Sequence, residues 1–298
     1  MQQAIDISCL REVNPQQLVD VEIASEDWGT VQYANAPVID GHFLTDHPRQ
    51  LLKETNHSFN VLTGFNLNEG YLFLIYGSPG FDPRTESNIN RDQFKAGMKR
   101  ALKSVTDLKS DSALETLTRA IEFAQTNGIG PNDTYANLTI PVVPLRDSST
   151  PESFYRNLLD DIVGDLNFNC PTVELLDEIV SHSGGGQDSK TCLYNFAHRS
   201  SQNPWPHWMG VMHQFEIEFV FGLPLNNKLN YTTYEKDLSL LMMMRWANFA
   251  KHGWVKSHFW SNPIFAQLYH MFFCLFLRKQ MLLIENCEVA ICMLHCPN

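Results

Sequence analysis

No run of Lys and Arg interrupts this 298-residue sequence, in which 22 basic residues face 33 acidic ones for a net charge of −11. Nucleic-acid binding needs clustered cations to meet phosphates, so that class is excluded. Nor is there an apolar stretch of the ~20 residues that cross a bilayer. The longest, 264–277, spans fourteen and is broken by Gln267 and His270, so no transmembrane segment is expected. The opening MQQAIDISCLREV has neither the charged region nor the apolar core of a signal peptide. Cysteine is sparse as well. Cys9, Cys170 and Cys192 are too scattered for a metal site, and Cys287, Cys292, His295 and Cys296 fit no zinc spacing. Neither a metal nor another cofactor is expected.

What is present reads as globular: 44% hydrophobic, 11% aromatic and 18% charged residues. The length allows one large domain or two modest ones. The average hides an uneven chain. Residues 254–298 hold 28 apolar residues in 45, four of the seven cysteines and a charge of +1. Residues 1–253 carry −12, with 19 basic against 31 acidic side chains. Four Asn-x-Ser/Thr sequons, at Asn56, Asn132, Asn137 and Asn230, would accept glycans in a secretory lumen.

Short β-branched or aromatic runs alternate with longer helical patterns, which gives an α/β expectation. The strand candidates are 59–65 (FNVLTGF) and 192–196 (CLYNF). One helix follows Asn90, with Gln93 in a capping-box relation and Phe94, Met98, Ala101 and Leu102 on one face. A second carries Leu114, Leu117, Ile121 and Ala124 and stops at Gly128; a third has Pro171 in its first turn and ends at 184–186 (GGG). A fourth, about 234–251, is apolar nearly all round and is expected to be buried. Between the second and third helices, 127–151 reads as a long surface loop.

Two strand-to-loop junctions carry the chemistry. The first strand runs into Asn66-Leu-Asn-Glu69-Gly70, and a carboxylate beside a turn-forming glycine just past a strand end is where α/β folds place catalytic acids. A solvated loop Glu is the plainer alternative. The second strand leads through His198 and Arg199 to Trp205-Pro-His-Trp-Met-Gly-Val-Met-His213. A His in such a loop has the titration range of a general base, though lone histidines more often serve packing. Their order, Glu before His after separate strands, matches the last two members of an α/β-hydrolase triad. The first member is missing: no G-x-S-x-G and no HGGG-type motif occurs.

The stretches PVIDG (37–41), GFNLNEG (64–70), DDIVGD (160–165), WPHWMGVMH (205–213) and FEIEFVFGLPL (215–225) are similar, in order and spacing, to the C-terminal half of the cholinesterases within the type-B carboxylesterases. The resemblance covers about residues 5–253. It implies the C-terminal part of an α/β-hydrolase fold, truncated before the nucleophile and most of the central sheet. Glu69 is then the triad acid and His213 the general base in the hydrolysis of choline esters. Trp205 is implied to wall the choline region, and Phe73 and Tyr76 to line an aromatic gorge suited to a quaternary ammonium. Tyr33 falls near an acyl-pocket aromatic. Leu72, Ile23 and Val31 stand where relatives carry aromatics, and Glu216 and Glu218 resemble acidic residues behind the triad. Cys9 and Cys170 match cysteines whose disulfide partners lie elsewhere in the family. The resemblance further implies a parent that is secreted or extracellular and associated with the synaptic membrane, and allows a homo-oligomer of it.

On this reading residues 1–253 are half of a hydrolase domain and 254–298 an unrelated apolar tail, the whole resembling an incomplete gene model. The fragment is expected to be inactive alone, because it holds neither the serine nor the oxyanion donors. The alternative is a non-catalytic, neuroligin-like adhesion module. Retention of both Glu69 and His213 argues against it.

Overall fold

A computed structural model describes residues 7–23, 37–55, 57, 59–104, 110–127, 153–182, 191–253 and 290–294. In chain order the elements begin with the helices α1 (Ile7–Glu12), α2 (Pro15–Ile23) and α3 (Pro48–Glu54), followed by strand β1 (Val61–Asn66). Next come the single turn α4 (Tyr71–Leu74) and the longer α5 (Arg91–Ala101) and α6 (Asp111–Asn127). The helices α7 (Phe154–Gly164) and α8 (Cys170–His182) are joined through a π turn over Asp165–Asn169. Strand β2 (Thr191–Phe196), the short α9 (Ile217–Val220), the long α10 (Thr233–His252) and strand β3 (Ala290–Leu294) complete the described fold.

The sheet is parallel throughout, in the order β1-β2-β3. Val61 to Asn66 face Thr191 to Phe196 in register, so both strands end at the same level. That alignment puts the Glu69 loop beside the loops that lead to His213. The third strand comes from the apolar tail, where Ala290 to Leu294 pair with Cys192 to Phe196.

Helix ends follow the sequence signals closely. The Asn90 side chain accepts the Gln93 N–H at 3.0 Å while the Gln93 side chain accepts the Asn90 N–H at 2.9 Å, the reciprocal capping box. Thr232 and Glu235 repeat the device at the start of α10. The larger core fills the space between α4, α5, α6 and α7 with Tyr71, Phe94, Met98, Leu114, Leu159 and Val163. A smaller one packs Phe196 and Val211 against Phe219, Leu238 and Met242. Arg91 bridges Glu115 and Glu122, and Lys95 meets Glu115, which fastens α5 to α6.

The fourth helix corrects one expectation. It is not buried all round: Glu235, Leu238, Ser239, Met242 and Arg245 point inward, whereas Tyr234, Leu240 and Met244 are exposed. The buried set recurs at helical spacing toward Phe219, whose carbonyl accepts the Ser239 hydroxyl at 2.8 Å. The loop expected over 127–151 lies outside the described residues, apart from Asn127 at the end of α6.

Glu235 has a second duty. It is 1% exposed. Burial pushes its carboxyl up, but the Ser201 hydroxyl and N–H and the Thr232 N–H and hydroxyl outweigh burial and hold it at about 2 against an ordinary 4.5. A depressed carboxylate stabilises the fold above its unfolded value, and that contribution fades as pH falls from about 4.5 toward 2. Urea unfolding should therefore show Glu235→Gln losing about 3 kcal/mol at pH 7, with the gap to wild type closing near pH 2.

Candidate active site

The site begins with a buried carboxylate that is not itself a triad candidate. Asp160 of α7, 1% exposed, accepts the Asn68 side-chain amide and the Tyr71 N–H, each at 2.8 Å. This clamps both ends of the Glu69–Gly70 corner onto α7. Gly70 is required there, because a Cβ would run into the Asp160 backbone. Asn68 also reaches across to the second loop. Its N–H donates to the Val211 carbonyl and its side-chain oxygen accepts the Val211 N–H, both at 2.9 Å, and it forms a parallel bridge with Met212. Gly210, at φ +56°, makes that approach possible, since a Cβ would collide with the Asn68 carboxamide. Arg199 pins the same loop through the carbonyls of Gly210 and Trp205, at 2.8 and 2.5 Å. Burial pulls its guanidinium down from the usual range.

Glu69 and His213, 144 residues apart in sequence, meet in this frame. Glu69 is 6% exposed, and its Oε2 lies 2.6 Å from His213 Nδ1. Its Oε1 accepts the Asn66 N–H at 2.5 Å. A carboxylate oxygen that accepts from Nδ1 assigns the Nδ1 proton to this contact and leaves Nε2 as the nitrogen turned away from Glu69. The rings of Phe73 and Phe168 form a triangle with the imidazole, their centroids 5.1 and 4.8 Å from it, and stack on each other at 5.3 Å. Phe168 reaches this position from the π turn, a helix irregularity often found at functional sites. Behind the pair, the Asn66 side-chain amide donates to the Met212 carbonyl at 2.9 Å and to Glu216 at 2.5 Å. Burial, with the negative charges of Glu216 and Glu69, pushes the nearby Tyr194 phenol up and keeps it protonated.

His213 opens onto a cleft of about 340 Å³ lined by Leu72, Trp205, Gln214, Phe215 and Glu218. No hydrogen-bond partner for Nε2 is present among the described residues. The arrangement sets an imidazole, hydrogen-bonded to a buried carboxylate, at the edge of an aromatic-walled cleft.

The sequence-derived residues are distributed unevenly around this centre. Trp205 walls the cleft and Phe73 packs at a tilt against the His213 ring. Tyr76 stands 72% exposed beyond α4 and is not among the residues lining the cleft. Tyr33 and Val31 lie outside the described residues, as do Asn56, Asn132 and Asn137, whereas Asn230 is exposed. Cys9 and Cys170 are exposed thiols, and burial with Asp165 and Glu174 pushes the Cys170 thiol up. Among the described residues no cluster could hold a metal ion and no helix is long and apolar enough to span a membrane. Two participants escaped the sequence reading, Asp160 as clamp and Phe168 as ring partner. Asp160 sits inside the motif DDIVGD, but nothing in the motif says which carboxylate turns inward.

The short Glu69–His213 bond has a spectroscopic consequence. Proton NMR of the folded chain should show a strongly downfield Nδ1–H resonance from His213. Glu69→Gln should remove it, and leaving Asn66 N–H with a poorer acceptor should cost about 1–3 kcal/mol in urea unfolding.

The carboxylesterase family's sequence model matches residues 2–267, an upper bound fourteen residues past Gly253. The chain is 39% identical over 254 residues to an acetylcholinesterase of Bungarus fasciatus and 36% identical over 251 residues to a cholinesterase of Mus musculus, covering 83% of this chain and 36% of each relative. An acetylcholinesterase of Danio rerio is 33% identical over 274 residues, which cover 39% of its length. The chain thus spans well under half the length of these curated relatives. With a family match over most of its residues and relatives of 33–39% identity across 83% of its length, the chain belongs to the carboxylesterase family.

Proposed function

We propose that this chain carries the acid and base of a choline-ester hydrolase, with Glu69 orienting His213 and His213 moving the proton. The 2.6 Å Glu69–His213 bond beside the Trp205 cleft carries the reading. In the complete reaction a serine hydroxyl gives its proton to Nε2 as its oxygen attacks the ester carbonyl. Glu69 stabilises the imidazolium that forms, and Nε2 then returns the proton to the departing choline oxygen. Water repeats the cycle on the acyl-enzyme, releasing acetate. The cleft suits the substrate chemically: Trp205 and Phe215 offer π faces and Glu218 a carboxylate to a quaternary ammonium.

The nucleophile and the oxyanion donors are expected in the part of the family fold that this sequence does not span. Each missing donor is worth about 3–4 kcal/mol of transition-state stabilisation. The purified chain should therefore hydrolyse acetylthiocholine no faster than buffer, and serine-dependent turnover would overturn this account of its chemistry. Co-expression with the upstream portion of the Bungarus fasciatus relative should restore turnover that His213→Ala abolishes by ~10⁴-fold or more.

The secretory reading rests on the sequons and on Asn230, which is exposed just ahead of α10 within Asn-Tyr-Thr. Directed through a secretory lumen, the chain should shift in mass on treatment with an N-glycosidase. Asn230→Gln should remove part of that shift.

A further inference from the structure

Gln214 follows the base directly and has a backbone that its side chain does not favour. It is the third residue of the β-turn Met212–Phe215, closed by the Phe215 N–H on the Met212 carbonyl at 3.3 Å, and its φ is +75°. Type II turns reserve a positive φ at that position for glycine or Asn, because a Cβ crowds the following carbonyl. Ser87 is the one other non-glycine residue with positive φ among the described residues. Strain of this kind persists only where the surroundings impose it, and it concentrates at working sites.

The side chain explains where the strain is used. Beside the His213 cleft lies a second and wider one of about 660 Å³, lined by Ile217, Phe221 and Leu223 among others. Gln214 and Glu218 are the two residues that line both. Glu218 forms the fixed part of this shared wall: its Oε2 accepts the Tyr231 hydroxyl at 2.6 Å, and its Oε1 is buried without a partner. Gln214, the other shared residue, is exposed. A glycine would satisfy the turn without strain and leave the clefts joined there.

We infer that Gln214 is a specificity-determining residue: its side chain partitions the His213 cleft from the wider apolar cleft and so limits the size of the group that can lie against His213. Its neutral amide can donate and accept hydrogen bonds without adding charge, while the Glu218 carboxylate and Trp205 supply attraction for a cation. The size limit depends on the choline-ester reading only for the choice of cationic probes.

The test uses the full chain as wild type, Gln214→Ala and Gln214→Gly. The imidazole C–H resonances of His213 are followed by NMR during titration with tetramethylammonium, tetrabutylammonium or the uncharged 3,3-dimethyl-1-butanol. Wild type should bind the small cation about tenfold or more tightly than the large one, and both variants should bring the two within about threefold, a range typical of pocket-size discrimination. Thermal unfolding separates side chain from backbone, since only Gln214→Gly relieves the turn and should raise the midpoint. An unchanged size preference in both variants overturns the inference, as does a change confined to Gln214→Gly or the absence of cation binding in all three proteins. If the alcohol binds as tightly as tetramethylammonium while the variants still lose the size preference, the partition stands and the choline-ester reading fails.

Discussion

Everything at the centre of this molecule hangs on one buried carboxylate. Asp160 takes a side-chain amide from Asn68 and a backbone N–H from Tyr71, and in doing so fixes the corner that holds Glu69. A desolvated carboxylate is costly unless its lone pairs are met by donors. Here both oxygens are met, so the penalty for undoing either contact locks the corner in place. Asn68 then transmits that fixity to the other loop through its paired hydrogen bonds with Val211. The Glu69–His213 distance is a consequence of this chain of contacts and of the shared level at which β1 and β2 end.

The second layer of control is steric. Phe73 and Phe168 pack as a stacked pair against the imidazole, and each contact restricts how far the ring can turn. A carboxylate fixes which nitrogen faces inward; the two rings fix where the other one looks. Together they leave the base preorganised before any substrate arrives, the condition under which proton transfer is efficient. The same economy shows in Glu235, which caps α10, holds Ser201 through two bonds and meets His198 Nε2 at 3.2 Å.

Much of this was legible in the sequence, for local reasons. Asn90 with Gln93 and the β-branched and aromatic content of FNVLTGF and CLYNF express short-range preferences, and the elements they announce are present within a residue or two. Glu69 and His213 were legible through order along the chain and through the resemblance of the surrounding motifs to known cholinesterases. What escaped was non-local. Neither the pairing of 290–294 with β2 nor the exposed outer side of α10 can be read from a window of neighbouring residues, because both depend on what stands opposite. Gln214 escaped for a different reason: glutamine carries no propensity for positive φ, so nothing local marks it.

The π turn at Asp165–Asn169 carries a final consequence, one of phase. Successive residues in an α-helix are rotated by about 100°, and a π turn behaves as one extra residue spliced into that rotation. Every side chain of α8 is therefore set about 100° from where a continuous α-helix would aim it. The face that offers Glu174 to Arg49 and Glu178 to Lys53 exists in its present direction because of that offset. One irregular turn thus sets two dials at once, the ring against the base and the bearing of the whole following helix, so a single deletion within 165–169 would retune both.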